Sequence, residues 1–255
     1  MMMSIFMSFH LDYNAMYGSF DYSFHYKNDA ITVGIEGDGE FYRYFRQFAG
    51  NKRIEKILLS NSGRIIVNPV EPLNLPQEVT KYLEISFEPI FIEPLGKKEF
   101  FLTFPIEIAV FVAAKKDIEV LDIFSLSTPK YSLYGPPNGG VITRWHHSKI
   151  FSSIPEIDHN REGILSFSIE NGTREWVQVS RAVFESYGMK IYYGTPEQGK
   201  PVSMMTRMRI ATKMFADTEF FDKPLLEGMA KSVELHTARD IPAVKRFFTM
   251  EWGLV

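Results

Sequence analysis

The chain has no cysteine in its 255 residues. Disulfides, thiolate nucleophiles and cysteine-ligated zinc are therefore excluded, and the composition fits a reducing compartment. Long apolar runs are also missing. The longest candidate, residues 100–114, is interrupted by Pro105 and Glu107 and closed by Lys115-Lys116-Asp117. It falls short of the roughly 18 apolar residues a membrane-spanning helix needs. The opening MMMSIFMSF carries no Lys or Arg before its apolar stretch and no cleavage site, so no secretory signal is expected. Neither sign of charge dominates. Against 28 Lys and Arg stand 31 Asp and Glu, for a net charge of −3 and a pI near 6.1. There is no global pull toward nucleic acid or an anionic membrane. The expected setting is cytoplasmic, with no nucleic-acid partner and no transmembrane segment.

Familiar catalytic signatures are absent too. There is no Gly-x-x-x-x-Gly-Lys-Ser/Thr, no Gly-x-Gly-x-x-Gly opening a helix, no Gly-x-Ser-x-Gly and no His-Glu-x-x-His. Each would supply a phosphate cradle, an exposed nucleophile or a zinc pair. These absences weigh against an enzyme without deciding the question, and no cofactor is implied.

What is present is a period of two. Phe20, Tyr22, Phe24 and Tyr26 alternate with polar residues, and Ile31, Val33 and Ile35 follow after Asn28-Asp29. Gly37-Asp38-Gly39 reads as a turn into the aromatic stretch 40–48, and Asn61-Ser62-Gly63 as the turn of a hairpin over 57–67. Strands are expected over 82–87, 100–112 and 118–124. Five prolines between Pro69 and Pro94 exclude a long helix there. Residues 163–184 read as a hairpin closed by Asn171-Gly172. Along 204–214, Met204, Thr206, Met208, Ile210, Thr212 and Met214 share one strand face, and Arg207, Arg209 and Lys213 share the other. A short helix near 225–231, broken by Gly228, and strands over 232–237 and 244–252 complete the expectation.

Many short strands separated by turn signals indicate an all-β chain built as a β-sandwich, with two packed sandwich halves and little helix. A composition shift near Ser127-Thr128-Pro129 divides it into an N-terminal β domain, 10–128, and a C-terminal β-sandwich domain, 129–255. A single domain is the alternative. The segments 82–112 and 163–184 echo one another as strand, polar turn, strand.

Three patches go beyond pattern: FSLSTPKYSLYGPPNGGVITRW at 124–145, EWVQVSRAVFESYGMKIYYG at 175–194 and MEWG at 250–253. Together they resemble the archaeal domain-of-unknown-function 432 family over most of the chain. The resemblance implies an archaeal intracellular protein and carries over no catalytic residue.

The candidate site is the stretch 130–147, KYSLYGPPNGGVITRWHH. Lys130, Tyr134, Arg144, Trp145, His146 and His147 are the candidate ligand- or partner-binding residues, because Tyr, Trp and Arg are the types favoured at recognition hot spots. The loop Gly135 to Gly140 reads as a structural turn, since its prolines remove amide donors. Trp145 is also a candidate for the core. Arg144 suits either a salt bridge or an anion. His146 and His147, with Glu156, Asp158 or His159, invite a metal reading. That reading requires the strand to end at Trp145, because consecutive strand residues face opposite ways. Arg207, Arg209 and Lys213 form a basic face, read either as protection of an edge strand or as a surface for an acidic partner. The aromatic stretches 20–26 and 41–48 fill a core or form a stacking platform. Glu36, Asp38, Glu156 and Asp158 are the carboxylates available for acid–base work.

The leading expectation is a non-enzymatic module binding an unknown protein or small molecule through 130–147. The alternatives are an enzyme acting on a sugar or phosphorylated metabolite through His146, His147 and Asp158, and a structural subunit of a homo-oligomer.

Overall fold

The computed structural model describes residues 16–39, 41–59, 63–75, 79–114, 117–194, 200–212, 215–235 and 248–249. Among them are nineteen strands and one 3-10 turn, Ser186–Gly188. The chain is all-β. No helix among the described residues is long and apolar enough to cross a membrane.

Two compact units form, and neither is continuous in sequence: residues 1–66 with 112–119, and residues 67–111 with 120–255. Thr128 and Pro129, where the composition shifts, lie within the second unit.

In the first unit, β1 (Gly18–Phe20) and β2 (His25–Lys27) are separated by a turn that Phe24 N–H closes on Asp21 O at 3.2 Å. The expected continuous strand over 20–26 is thus broken. Tyr22, Phe24 and Tyr26 are nevertheless buried, so alternation reported burial here rather than an unbroken strand. β3 (Ile31–Asp38), β4 (Phe41–Phe48) and β5 (Ile54–Leu58) continue an antiparallel meander in the order β2-β3-β4-β5. Gly37 and Asp38 stay in the ladder, opposite Tyr42 and Phe41. The chain turns at Gly39, whose φ of 65° suits glycine. Tyr44 and Phe45 are buried with Ile31, Val33 and Ile35, and the stacking-platform reading loses these rings to the core.

β6 (Arg64–Val70), β9 (Glu107–Ala114) and β10 (Asp117–Phe124) join β1 in the order β1-β6-β9-β10. β5 and β6 belong to different sheets, so the hairpin expected over 57–67 does not form; residues 60–62 of its turn lie outside the described residues.

The second unit is a sandwich. One sheet has the order β11-β12-β7-β14, from β7 (Tyr82–Ile92), β11 (Tyr131–Tyr134), β12 (Val141–His147) and β14 (Val177–Glu185). The facing sheet runs β18-β15-β16-β13-β8, from β8 (Lys97–Pro105), β13 (Glu162–Asn171), β15 (Tyr192–Tyr193), β16 (Ser203–Thr212) and β18 (Ala230–Lys231). β17 (Phe215–Phe221) pairs with β16, and β19 (Phe248–Thr249) with β17. Phe167 of β13 meets Phe100 across its own sheet at 5.4 Å and 85°, and reaches the facing layer at Phe87, 6.4 Å away, and Phe184, at 6.1 Å and 86°. Such edge-to-face pairs each add about 0.5–1.5 kcal/mol beyond area burial.

The segment 163–184 is a corner between the layers rather than a hairpin. β13 pairs with β8 and β16, while β14 pairs with β7 in the other sheet. Asn171 makes the corner. Its Nδ2 donates to Ile92 O, Glu93 O and Glu175 O at 3.2, 2.9 and 2.8 Å, and its Oδ1 accepts from Thr173 N–H at 3.0 Å. The same Asn-Gly signal serves a corner because the side-chain amide replaces ladder bonds that a hairpin would make. Asn171 is fully buried, which closes the glycosylation sequon. The chain also changes sheet between β7 and β8, and the two corners bond to each other through Leu95 N–H to Thr173 O and Asn171 N–H to Gly96 O. The two segments that echo in sequence thus pair strand by strand.

Met204, Thr206, Met208 and Ile210 are buried on one face of β16, as their spacing predicts. Lys213 and Met214 lie outside the described residues. Residues 225–229 form no helix. Of the expected C-terminal strands, residues 232–235 are not strand, 248–249 form β19, and the remainder is outside the described residues.

Candidate functional site

β11 and β12 form an antiparallel hairpin with Tyr131 opposite Arg144 and Leu133 opposite Ile142. Its connection is held by Gly139 and Gly140 N–H donating to Pro136 O. Gly135 has a φ of 97°, and a Cβ on Gly140 would stand 2.7 Å from Tyr134 O, so both positions require glycine. β12 then runs parallel to β7 and reaches His147 without a break, with His146 beside Ile85 and His147 beside Ser86.

That continuity fixes the faces. Arg144 and His146 lie on the side of Leu83 and Ile85, which is the buried side of the sandwich. Trp145 and His147 lie on the other. The two histidines thus leave the strand on opposite faces, and among the described residues no three His, Asp or Glu side chains gather as a metal site. Asp158 instead pairs with Arg161 at 3.0 Å. Trp145 is half-buried rather than core, stacked on His147 at 6.3 Å and 23°, with Lys130 Nζ 5.8 Å from its ring.

A cleft of about 390 Å³ opens at this end of the sandwich. Lys130, Arg144, Trp145, His146 and His147 line it together with Ser127, Thr128, Pro105, Arg161 and Glu162. Pro105 and Glu162 are opposite one another on β8 and β13, so the facing sheet supplies the second wall. Tyr134 is buried and is not part of the lining.

Arg144 is the unusual residue. It is 1% exposed, and its Nε and Nη1 have no hydrogen-bond partner. No ion pair of Arg144 occurs among the described residues; the Tyr131 ring lies 5.7 Å from its guanidinium carbon, and Tyr131 and Glu107 both favour its charge. A buried unmet donor costs about 1–3 kcal/mol, and more when charged. Burial holds the guanidinium below its ordinary value, against the opposing pull of Glu107. Glu107 on β9 is fully buried and accepts Asn74 and Leu75 N–H at 2.9 and 3.3 Å. Burial raises its carboxyl to about 7, although Asn74, Arg144 and Leu75 pull the other way. Glu71 is raised to about 7 by burial and by the charge of Glu107.

His146 is held down at about 4 by burial and then by His147, Arg144 and Lys130, so it is neutral at pH 7. Its Nε2 lies 2.8 Å from Thr103 Oγ1. Burial raises the Glu162 carboxyl, and a hydrogen bond from Thr103 opposes the rise. His146 thus meets Thr103 of the facing sheet, with Glu162 close by. Arg161 is anchored by Asp158 and by Leu126 O.

The other candidates lie elsewhere. Arg207 and Arg209 are on β16, which is flanked by β13 and β17 and is not an edge, so edge protection is not their role. Arg207 stands 3.8 Å from Glu219 and over the Phe221 ring, and Arg209 pairs with Glu170 at 3.4 Å. Glu36 pairs with Arg53 at 2.7 Å in the first unit, where Asp38 ends β3. Glu156 is exposed, and His159 is lowered by burial. Thr103, Glu71, Glu107, Arg161 and Glu162 were missed by sequence reasoning. The signal for Glu107 was its isolation in an otherwise apolar stretch.

No curated protein and no solved structure matches the chain. A family model described as a protein of unknown function, DUF432, matches residues 16–252, and the chain belongs to that family.

Proposed function

We propose that the chain is a binding module, and that its contact surface is the cleft rimmed by residues 130–147. The ligand group it takes is an oxyanion, borne by a small molecule or by a partner protein. The observation that carries this reading is Arg144: a buried residue of the cleft lining with two unmet guanidinium donors and no ion pair among the described residues. Arginine's planar fork of donors suits carboxylate and phosphate. Lys130 adds a second positive charge at the rim, whereas Arg161 is already paired with Asp158.

Calorimetric titration with sulfate, whose charge is constant near neutral pH, tests the reading. Wild type is expected to bind, and Arg144→Met to bind at least about tenfold more weakly, a loss of about 1.4 kcal/mol. Equal binding by a folded Arg144→Met variant removes the cleft from the reading.

The enzyme alternative has one observation in its favour: His146 and Glu162 line the same cleft, and Thr103 interacts with both. Its original trio has less support, because His146 and His147 face opposite ways and Asp158 is engaged with Arg161.

A further inference from the structure

Arg144 and Glu107 are both buried, attract one another and form no ion pair with each other. Glu107 is tied to the turn at residues 71–75 by its bonds from Asn74 and Leu75. Leu75 O accepts the Tyr131 hydroxyl at 3.2 Å, and the Tyr131 ring covers the Arg144 guanidinium. The carboxyl and the guanidinium are therefore linked through space and through one chain of contacts.

We propose, resting on the anion reading of the cleft, that an oxyanion enters at Arg144 together with a proton at Glu107. The reason is competition for one cation. An ionised Glu107 offsets part of the charge of Arg144. An anion in the cleft draws on the same guanidinium and adds a second negative charge. The tension is relieved when Glu107 takes a proton, and by linkage the affinity for the anion falls as pH rises through the range in which Glu107 ionises. That range is centred near neutrality, because burial raises Glu107 to about 7.

Other charges bear on the pair. Glu71 faces Glu107 and is raised to about 7 as well, so the two carboxyls titrate as a coupled pair. Behind Glu71 lie Glu234 and Lys190, already paired at 2.8 Å. On the cleft side, His146 is neutral throughout this range. Lys130, the Arg161–Asp158 pair, Glu162 and His147 complete the surroundings.

Sulfate binding is measured by calorimetry from about pH 5.5 to about pH 8.5 in two buffers of different ionisation enthalpy, which counts protons taken up with the anion. Wild type is expected to lose about tenfold in affinity over that range, the size of a one-unit linked shift, with net proton uptake near pH 7.5. Glu107→Gln keeps an amide oxygen for Asn74 or Leu75 and is expected to bind with little pH dependence. The proposal is overturned if wild-type binding takes up no proton or if Glu107→Gln keeps the wild-type slope. Sulfate binding that depends on Arg144 but not on pH leaves the anion site standing and removes the proton coupling. An absence of sulfate binding at every pH removes both. Proton uptake by wild type decides the matter even if Glu107→Gln does not fold.

Discussion

Thr103 Oγ1 lies 2.8 Å from His146 Nε2, and this contact ties β8 of one sheet to β12 of the other at the mouth of the cleft. Thr103 N–H also donates to the buried Ser148 Oγ at 2.7 Å. One threonine therefore joins the two sheets at this end of the sandwich. Replacing it by valine keeps the shape and removes the hydroxyl. His146 then loses a partner while half-buried. Thr103→Val is expected to cost about 1–3 kcal/mol, the usual loss when a desolvated polar group is left unmet. Chemical denaturation measures it, and an unchanged midpoint would show that the contact contributes nothing.

Asn171 gives a second test, of the corner rather than the cleft. Its amide satisfies three carbonyls where the chain changes sheet. Asn171→Ala strands these acceptors in a buried place and is expected to destabilise by about 2–4 kcal/mol, more than a loss at an exposed hairpin turn would. A cost under about 0.5 kcal/mol, ordinary for surface positions, would argue for the hairpin that the Asn-Gly pair first suggested.

The buried ionisable groups oppose each other in their effect on stability. His146 stands at about 4 when folded, below its ordinary 6.5, so the unfolded chain binds the extra proton and stability is lost as pH falls through that interval. Glu71 and Glu107 stand at about 7, above their ordinary 4.5, so the folded chain binds the extra protons and stability is lost as pH rises from 4.5 to 7. Two carboxyls outweigh one imidazole. The protein is expected to be more stable near pH 5.5 than near pH 7.5, by on the order of 1–3 kcal/mol, and Glu107→Gln is expected to flatten the difference. Denaturation curves at both pH values check this, and greater stability at the higher value would contradict it.

Much of this was legible in the sequence, and the rest was not for physical reasons. The spacing of Met204, Thr206, Met208 and Ile210 marked a buried face because side-chain direction alternates along any strand. Which strand each would pair with was not encoded locally. Asn171-Gly172 satisfies the same backbone demands in a hairpin and in a corner, and only the distant carbonyls of Ile92 and Glu93 distinguish them. Arg207 and Arg209 looked like guards of an edge, yet β16 acquires neighbours on both sides from β13 and β17. The cleft divides in the same way. Lys130, Arg144, Trp145, His146 and His147 stood out together because they are close in sequence. Pro105, Arg161 and Glu162 arrive through the register of β8 with β13, and nothing near them in sequence announced it.

The central claim is that Arg144 keeps two buried donors unmet and makes no ion pair among the described residues, at a cost to the fold, in readiness for an anion. Thermal unfolding of wild type and Arg144→Met, each with and without sulfate, tests it most directly. Methionine fills a similar apolar volume without the desolvated charge, so the variant is expected to melt at or above the wild-type temperature in the absence of sulfate. Sulfate is expected to raise the melting temperature of wild type alone. A variant that loses several kcal/mol without sulfate, or that gains as much from sulfate as wild type does, would contradict the claim.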